Sequence, residues 1–244
     1  MSVKEQRNAR SGRLPAIKHW PSDKARRWTE ELVESAAANA SIVAIVAIGS
    51  AVRDTRTASD LDLVLVHDQH APRLKPPIEI DVRSYPKDDV PDLVDGGHDV
   101  LGWAILFGKC IFERNQYWRE LKGRYERRVP LPSASTSLKR AQRAQKVVSE
   151  LLAIGDKEAA LEQHLSLVTH LARARLIQSG IYPKSRPELP EQLKAAGNPE
   201  LAGHFQDALA QRKPARQLWE DLCFILRIEQ ERQGTRSEAS KASP

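Results

Sequence analysis

The sequence predicts an α+β protein in two parts, a small mixed sheet carrying helices followed by an all-α helical bundle. Three observations lead there. Every strand-like run of β-branched residues lies before residue 114. A Pro- and Ser-rich stretch, Val129-Pro-Leu-Pro-Ser-Ala-Ser135, then interrupts the chain. Beyond it, apolar residues recur at helical spacing. A chain of 244 residues is long enough to give both parts a core.

The elements follow in order. Residues 1–16 read as a disordered basic tail. Ser22 is an N-cap for a helix running to about Ala38, with Trp28, Leu32 and Val33 on its buried stripe. Trp20 and Trp28 are alternatively placed to stack on a base or sugar. Ser41 to Ile48 is a continuous β-branched run, the mark of a buried strand, and Gly49-Ser50 ends it. A polar turn from Arg53 to Ser59 leads to a second strand, Asp60-Leu-Asp-Leu-Val-Leu-Val66. A loop with three prolines follows, and Ile78 to Ser84 alternates strictly as a third strand that Pro86 closes. Residues 88–95 read as a polar connection or short helix, 100–107 as an apolar helix, 108–113 as a turn and short strand, and 118–125 as an outgoing helix.

In the second part, Thr136 to Ile154 reads as a helix with Gly155 as its C-cap. Asp156 to Ser179 places Leu161, Leu165, Val168, Ala172 and Leu176 on one face. Shorter helices are expected over 187–196, 200–210 and 214 to about 231. His164 and His170, six residues apart, fall on different helix faces, so they read as packed or exposed side chains rather than a chelating pair.

Composition excludes several classes. Hydrophobic residues at 41% and charged residues at 29% are ordinary for a globular protein. Two distant cysteines, Cys110 and Cys223, cannot make a disulfide framework or a Cys-based zinc site. No apolar run reaches membrane-helix length, and no secretory signal is visible, so a cytoplasmic location without a membrane partner is expected. The net charge of +6 is uneven: residues 1–30 carry eight Lys/Arg against three acids, and residues 31–95 carry six against twelve. An acidic block inside a basic protein suits a cation bridging carboxylates to phosphate, although solvated faces of opposite sign give the same pattern. Arg124, Arg127, Arg128, Arg140, Arg143 and Lys146 equally fit a polyanion site or a solvated face.

Chemistry concentrates in two stretches. Asp60 and Asp62 stand two apart on one strand, so both carboxylates share a face, ~6.6 Å apart along it. Such a pair repels itself unless a cation intervenes. Mg²⁺ suits it, a hard ion that combines a few carboxylates with water and substrate phosphates. The next strand carries Glu79 and Asp81, again on one face; placed beside the first pair, it completes a three-carboxylate, two-metal site. Gly49 lets the backbone approach a phosphate closely, and Ser50 adds a hydroxyl and an N–H.

Apolar strand, Gly49-Ser50, a short turn containing Arg53, then Ser59-Asp-Leu-Asp-Leu63 resembles the DNA polymerase β-like nucleotidyltransferase superfamily. The aminoglycoside adenylyltransferases and the small antitoxin-type nucleotidyltransferases look most similar. The resemblance spans roughly residues 22–125, and the helical bundle also suits those families. It implies a nucleotidyltransferase domain over 17–129 and a bundle over 130–232, while the small, charged residues 233–244 read as a disordered tail. It further implies that Asp60 and Asp62 bind Mg²⁺, with Mn²⁺ as a substitute, and that Asp81 is the third acid, as ligand or base. Gly49 and Ser50 would hold the triphosphate, assisted by Arg53. Glu79 is the rival third acid, because Ile-Glu-Ile fits the same template; the acid-x-Arg element Asp81-Val-Arg83 favours Asp81. The implied reaction moves NMP from an NTP, ATP first among them, to a hydroxyl of a small molecule, a protein or RNA, and releases pyrophosphate. The alternative is a silent nucleotide-sensing or antitoxin-like module of the same fold. Two departures bear on the phosphate turn: nine residues separate Ser50 from Asp60 where the family commonly has ten, and Asp54 stands where it often has Gly.

Overall fold

The structure, a computed structural model, describes residues 14, 16–53, 60–125 and 128–226. The chain divides into two compact units between Pro132 and Ser133, a few residues past the expected boundary at 129/130. The fold class is the expected one, a mixed sheet with helices and then helices alone.

The first unit opens with α1, Asp23–Ala38, whose N-cap Ser22 accepts from the Ala25 N–H at 3.1 Å. Its buried line is Ala25, Thr29, Leu32 and Ala36. The expected stripe through Trp28 and Val33 is corrected: both are only half-buried and flank that line. Small residues and a Thr hydroxyl satisfied by the Ala25 carbonyl at 2.8 Å face the interior instead. Arg114 closes the far end by donating from Nη2 to the Ala36 carbonyl at 3.0 Å, a cation on a helix C-terminus.

Four strands make the sheet: β1 Ile42–Ile48, β2 Leu61–His67, β3 Ile80–Pro86 and β4 Lys109–Glu113, in the order β3-β2-β1-β4. β1 is buried along its whole length, which explains its unbroken apolar run. It pairs antiparallel with β2 and with β4, whereas β2 pairs parallel with β3. Between β1 and β2 lies a short 3-10 turn, Ser50–Val52. Helices α2 Asp89–Asp95, α3 Asp99–Phe107 and α4 Tyr117–Tyr125 complete the unit.

One sequence expectation shifts here. β3 starts at Ile80, not Ile78, because the Ile80 N–H turns back to the Pro77 carbonyl at 3.0 Å and leaves Ile78 98% exposed. Pro86 is the last residue of β3 and ends it as expected, and an edge strand tolerates its missing N–H. Residues 14 and 16 are the described part of the expected 1–16 tail, and Leu14 is buried.

The second unit is an antiparallel pair, α5 Ala134–Ile154 and α6 Lys157–Gln178, followed by α7 Leu189–Ala195, α8 Pro199–Leu209 and a helical stretch 215–226. Ser133 caps α5 by accepting from Thr136 N–H at 3.2 Å, and Gly155 ends it at φ 80°. α6 is the central helix. Besides Val168, Ala172 and Leu176 it buries Ala160, His164, Leu167 and Leu171, so burial extends beyond the single predicted face. Leu165 and Trp219 pack at the edge of this core, and Phe205 is fully enclosed in it.

Candidate active site

The carboxylates gather on one face because β2 and β3 run in parallel register. Asp62 stands directly across from Asp81, and Leu61 across from Ile80. Asp60 and Glu79 precede that first rung, and the Leu61 N–H donates to the Glu79 carbonyl at 2.8 Å. Parallel partners point the same way, so Asp62 and Asp81 share one sheet face, with Asp60 two residues before Asp62; Glu79 lies in the turn before β3. A parallel step normally needs a long return; here it is the proline-bearing segment 68–79.

Asp62 also faces β1, where it pairs with Ile48. The next residue, Gly49, has φ 79° and ψ −158°, a region open essentially to glycine alone. A Cβ on Gly49 would lie 2.8 Å from Asp62 Oδ2. The predicted phosphate turn therefore lies directly beside the Asp62 carboxylate, with no room for a side chain between them. The turn is braced from outside as well, with the Ala51 carbonyl accepting from Lys18 N–H at 2.9 Å and His19 N–H at 3.2 Å. Arg53 follows, its N–H bonded to the Ser50 carbonyl at 3.0 Å and its guanidinium 5.3 Å above the Phe107 ring. Asp54 and Ser59 lie outside the described residues.

Electrostatics single out Asp62. Its own burial, then the nearby Asp60 carboxylate and, less strongly, Asp81, push its pKa up to about 6, with Arg83 opposing. Asp60 is exposed, and Asp81 is half-exposed. Arg83 Nε donates to Asp81 Oδ2 at 3.0 Å. Glu79 is engaged differently. The Ser22 hydroxyl donates to its Oε1 at 3.4 Å, while its Oε2 is buried and has no hydrogen-bond partner. The structure thus sets Asp81 beside Asp62, and ties Glu79 to the start of α1.

Among the described residues, no three His, Cys, Asp or Glu side chains converge closely enough to surround an ion. The donor set nevertheless fits Mg²⁺ chemically. Asp60, Asp62 and Asp81 offer hard oxygen ligands on one face, and their mutual repulsion is what a divalent ion would relieve.

Four neighbouring residues were not singled out as site residues in the sequence. Arg83 is Asp81's partner, and the i,i+2 spacing on a strand was its available signal. Phe107 lies far from Arg53 in sequence, so nothing local could have paired them. Farther along the same face of β3, Tyr85 meets His98 edge-on at 5.4 Å. His98 caps α3 through Nδ1, which accepts from Leu101 N–H at 3.4 Å, and burial lowers its pKa.

No protein-family model matches this chain. No curated protein matches it either. Among solved structures, a nucleotidyltransferase-like protein from Exiguobacterium sibiricum 255-15 is similar over 83% of this chain and 74% of that one. The identity is 17% and the TM-score 0.42.

Proposed function

We propose that the first unit is a Mg²⁺-dependent nucleotidyltransferase. It would move NMP, AMP first among the candidates, from an NTP to a hydroxyl on a small molecule, a protein or RNA. The acceptor oxygen bonds to the α-phosphorus, the bond from that phosphorus to the bridging oxygen breaks, and pyrophosphate leaves. The observation that carries this reading is the position of Gly49 against Asp62, which sets the Gly49-Ser50 turn beside a carboxylate that faces Asp81 across β2 and β3.

Each side chain has a distinct part. Gly49 and Ser50 present backbone N–H and hydroxyl groups to the triphosphate. Arg53, held over Phe107, adds positive charge beside that turn. Asp60, Asp62 and Asp81 would hold the metal, which when bound acidifies the attacking hydroxyl and offsets the charge of the leaving pyrophosphate. Asp81 is the group to accept the hydroxyl's proton, and Arg83 orients its carboxylate. Glu79 supports the site from α1 rather than joining it.

A second reading has its own observation. Asp81 already has a cation partner in Arg83, as suits a module that binds nucleotide without turning it over. One experiment separates the two. The protein is incubated with each labelled NTP, Mg²⁺ or Mn²⁺, and fractionated lysate, beside an Asp60→Ala/Asp62→Ala control. Label in protein, RNA or small molecules that is absent from the control supports transfer. Nucleotide binding with no label in any fraction supports the silent module.

A further inference from the structure

Helix α5 carries an uncompensated cationic stripe on its outer side. The helix buries Ser137, Ala141, Ala144 and Val148. At 3.6 residues per turn, Lys139, Arg143 and Lys146 fall on the opposite side at i, i+4 and i+7, and Arg140 lies beside them. All four are exposed. No acid occurs in the sequence between Glu126 and Glu150. Lys146 reaches Glu150 at only 3.8 Å, with both side chains largely in solvent. Among the described residues, Lys139, Arg140 and Arg143 make no ion pair.

Other cations of this unit are treated differently. Lys213 meets Asp207 at 3.2 Å and Asp221 at 2.8 Å, and Arg212 meets Asp207 at 3.3 Å. An unpaired row of cations repels itself, so its natural complement is a regularly charged polyanion. The stripe covers about 10 Å of helix, which is about three phosphates of one duplex strand. Gln142, Gln145 and Ser149, all exposed, add neutral hydrogen-bonding groups alongside it. Val147 and Ile154 are the exposed large apolar side chains of α5, too few to seat a helix in a lipid surface.

We propose that the outer face of α5 is a nucleic-acid backbone site, with Lys139, Arg140, Arg143 and Lys146 contacting successive phosphates without reading sequence. The site does not depend on the transfer reaction in the first unit.

The test uses the full chain and two labelled probes, a mixed-sequence single-stranded 20-mer RNA and a duplex DNA of equal length. Anisotropy is followed from 50 to 200 mM KCl. The wild type should bind with log K falling linearly in log salt. Lys139→Glu/Arg140→Glu/Arg143→Glu should weaken binding about tenfold or more at the lowest salt. It should also flatten the slope by about 2 for the single strand or about 3 for the duplex. Melting temperature should hold, because all three side chains are in solvent. A control with the same charge change elsewhere, Lys24→Glu/Lys75→Glu/Lys157→Glu, should keep the slope. No wild-type binding to either probe overturns the proposal. So does equal loss in both triple variants, or capture by phosphatidylserine vesicles in place of both nucleic acids.

Discussion

Asp62 Oδ2 occupies the space into which a side chain on Gly49 would project, 2.8 Å from where its Cβ would stand. The glycine is required twice over. Its φ of 79° with ψ −158° excludes other residues, and its missing Cβ makes room for the carboxylate. Gly49→Ala should therefore cost about 1–3 kcal/mol of stability from the backbone alone. It should also displace Asp62 and abolish transfer. Urea unfolding of the variant beside labelled-NTP turnover tests both effects. Wild-type stability with full turnover would show that the contact is dispensable.

Asp62 is held at a cost in stability. Burial, Asp60 and Asp81 all disfavour its charged form. Asp62→Asn keeps the shape and removes the charge. In the metal-free protein at pH 7.5 its melting temperature should rise above that of the wild type. Excess Mg²⁺ should then stabilise the wild type and not the variant, and turnover should fall at least a hundredfold, ~3 kcal/mol of barrier. A variant that melts lower without metal and still responds to Mg²⁺ would contradict the crowding argument.

Much of this was legible in the sequence because it is local. β1 announced itself by seven consecutive apolar residues, and it is buried along both faces. The Asp60–Asp62 spacing fixed a common face before any partner strand was known. Strand order and direction were not legible. The β2–β3 pairing depends on how segment 68–79 returns, and that return is what sets Asp81 rather than Glu79 across from Asp62. The start of β3 was misjudged because Ile78 fits the alternation yet faces solvent, 98% exposed, on the outside of a turn. The Arg53–Phe107 contact joins distant elements and has no local signal.

The two candidates for the third acid separate cleanly by substitution. Asp81→Asn should reduce turnover about a hundredfold or more, since it removes the carboxylate across from Asp62. Glu79→Gln should reduce it by less than about tenfold. Its Oε1 keeps an acceptor for the Ser22 hydroxyl, and its buried, unpartnered Oε2 becomes an uncharged amide. Measured kcat with saturating NTP decides the matter. A larger loss at Glu79 would transfer the role to that residue.

The second unit contains a pH-dependent element of its own. His164 and His204 are buried with Nε2 atoms 2.8 Å apart and rings edge-on at 5.1 Å. One ring must donate and the other accept, so at least one of the two must stay neutral for the pair to hold. Each Nδ1 is buried without a partner. Burial, then the facing His204, lowers the His164 pKa to about 4. Burial also lowers His204, with Lys213 pushing the same way and Asp221 and Asp207 opposing. In the unfolded chain both titrate near the ordinary value of about 6.5. Above that pH neither state is protonated and the pair adds no pH dependence. As pH falls from about 6.5 towards about 4, the unfolded chain takes up protons that the folded unit refuses, and stability drops. The loss should be on the order of a few kcal/mol across that window. Urea midpoints at pH 7.5, 6, 5 and 4 should trace it, and His164→Gln should flatten the dependence. A wild-type midpoint that stays constant between pH 6.5 and 4 would mean that both imidazoles titrate normally, and that the pair opens without resistance.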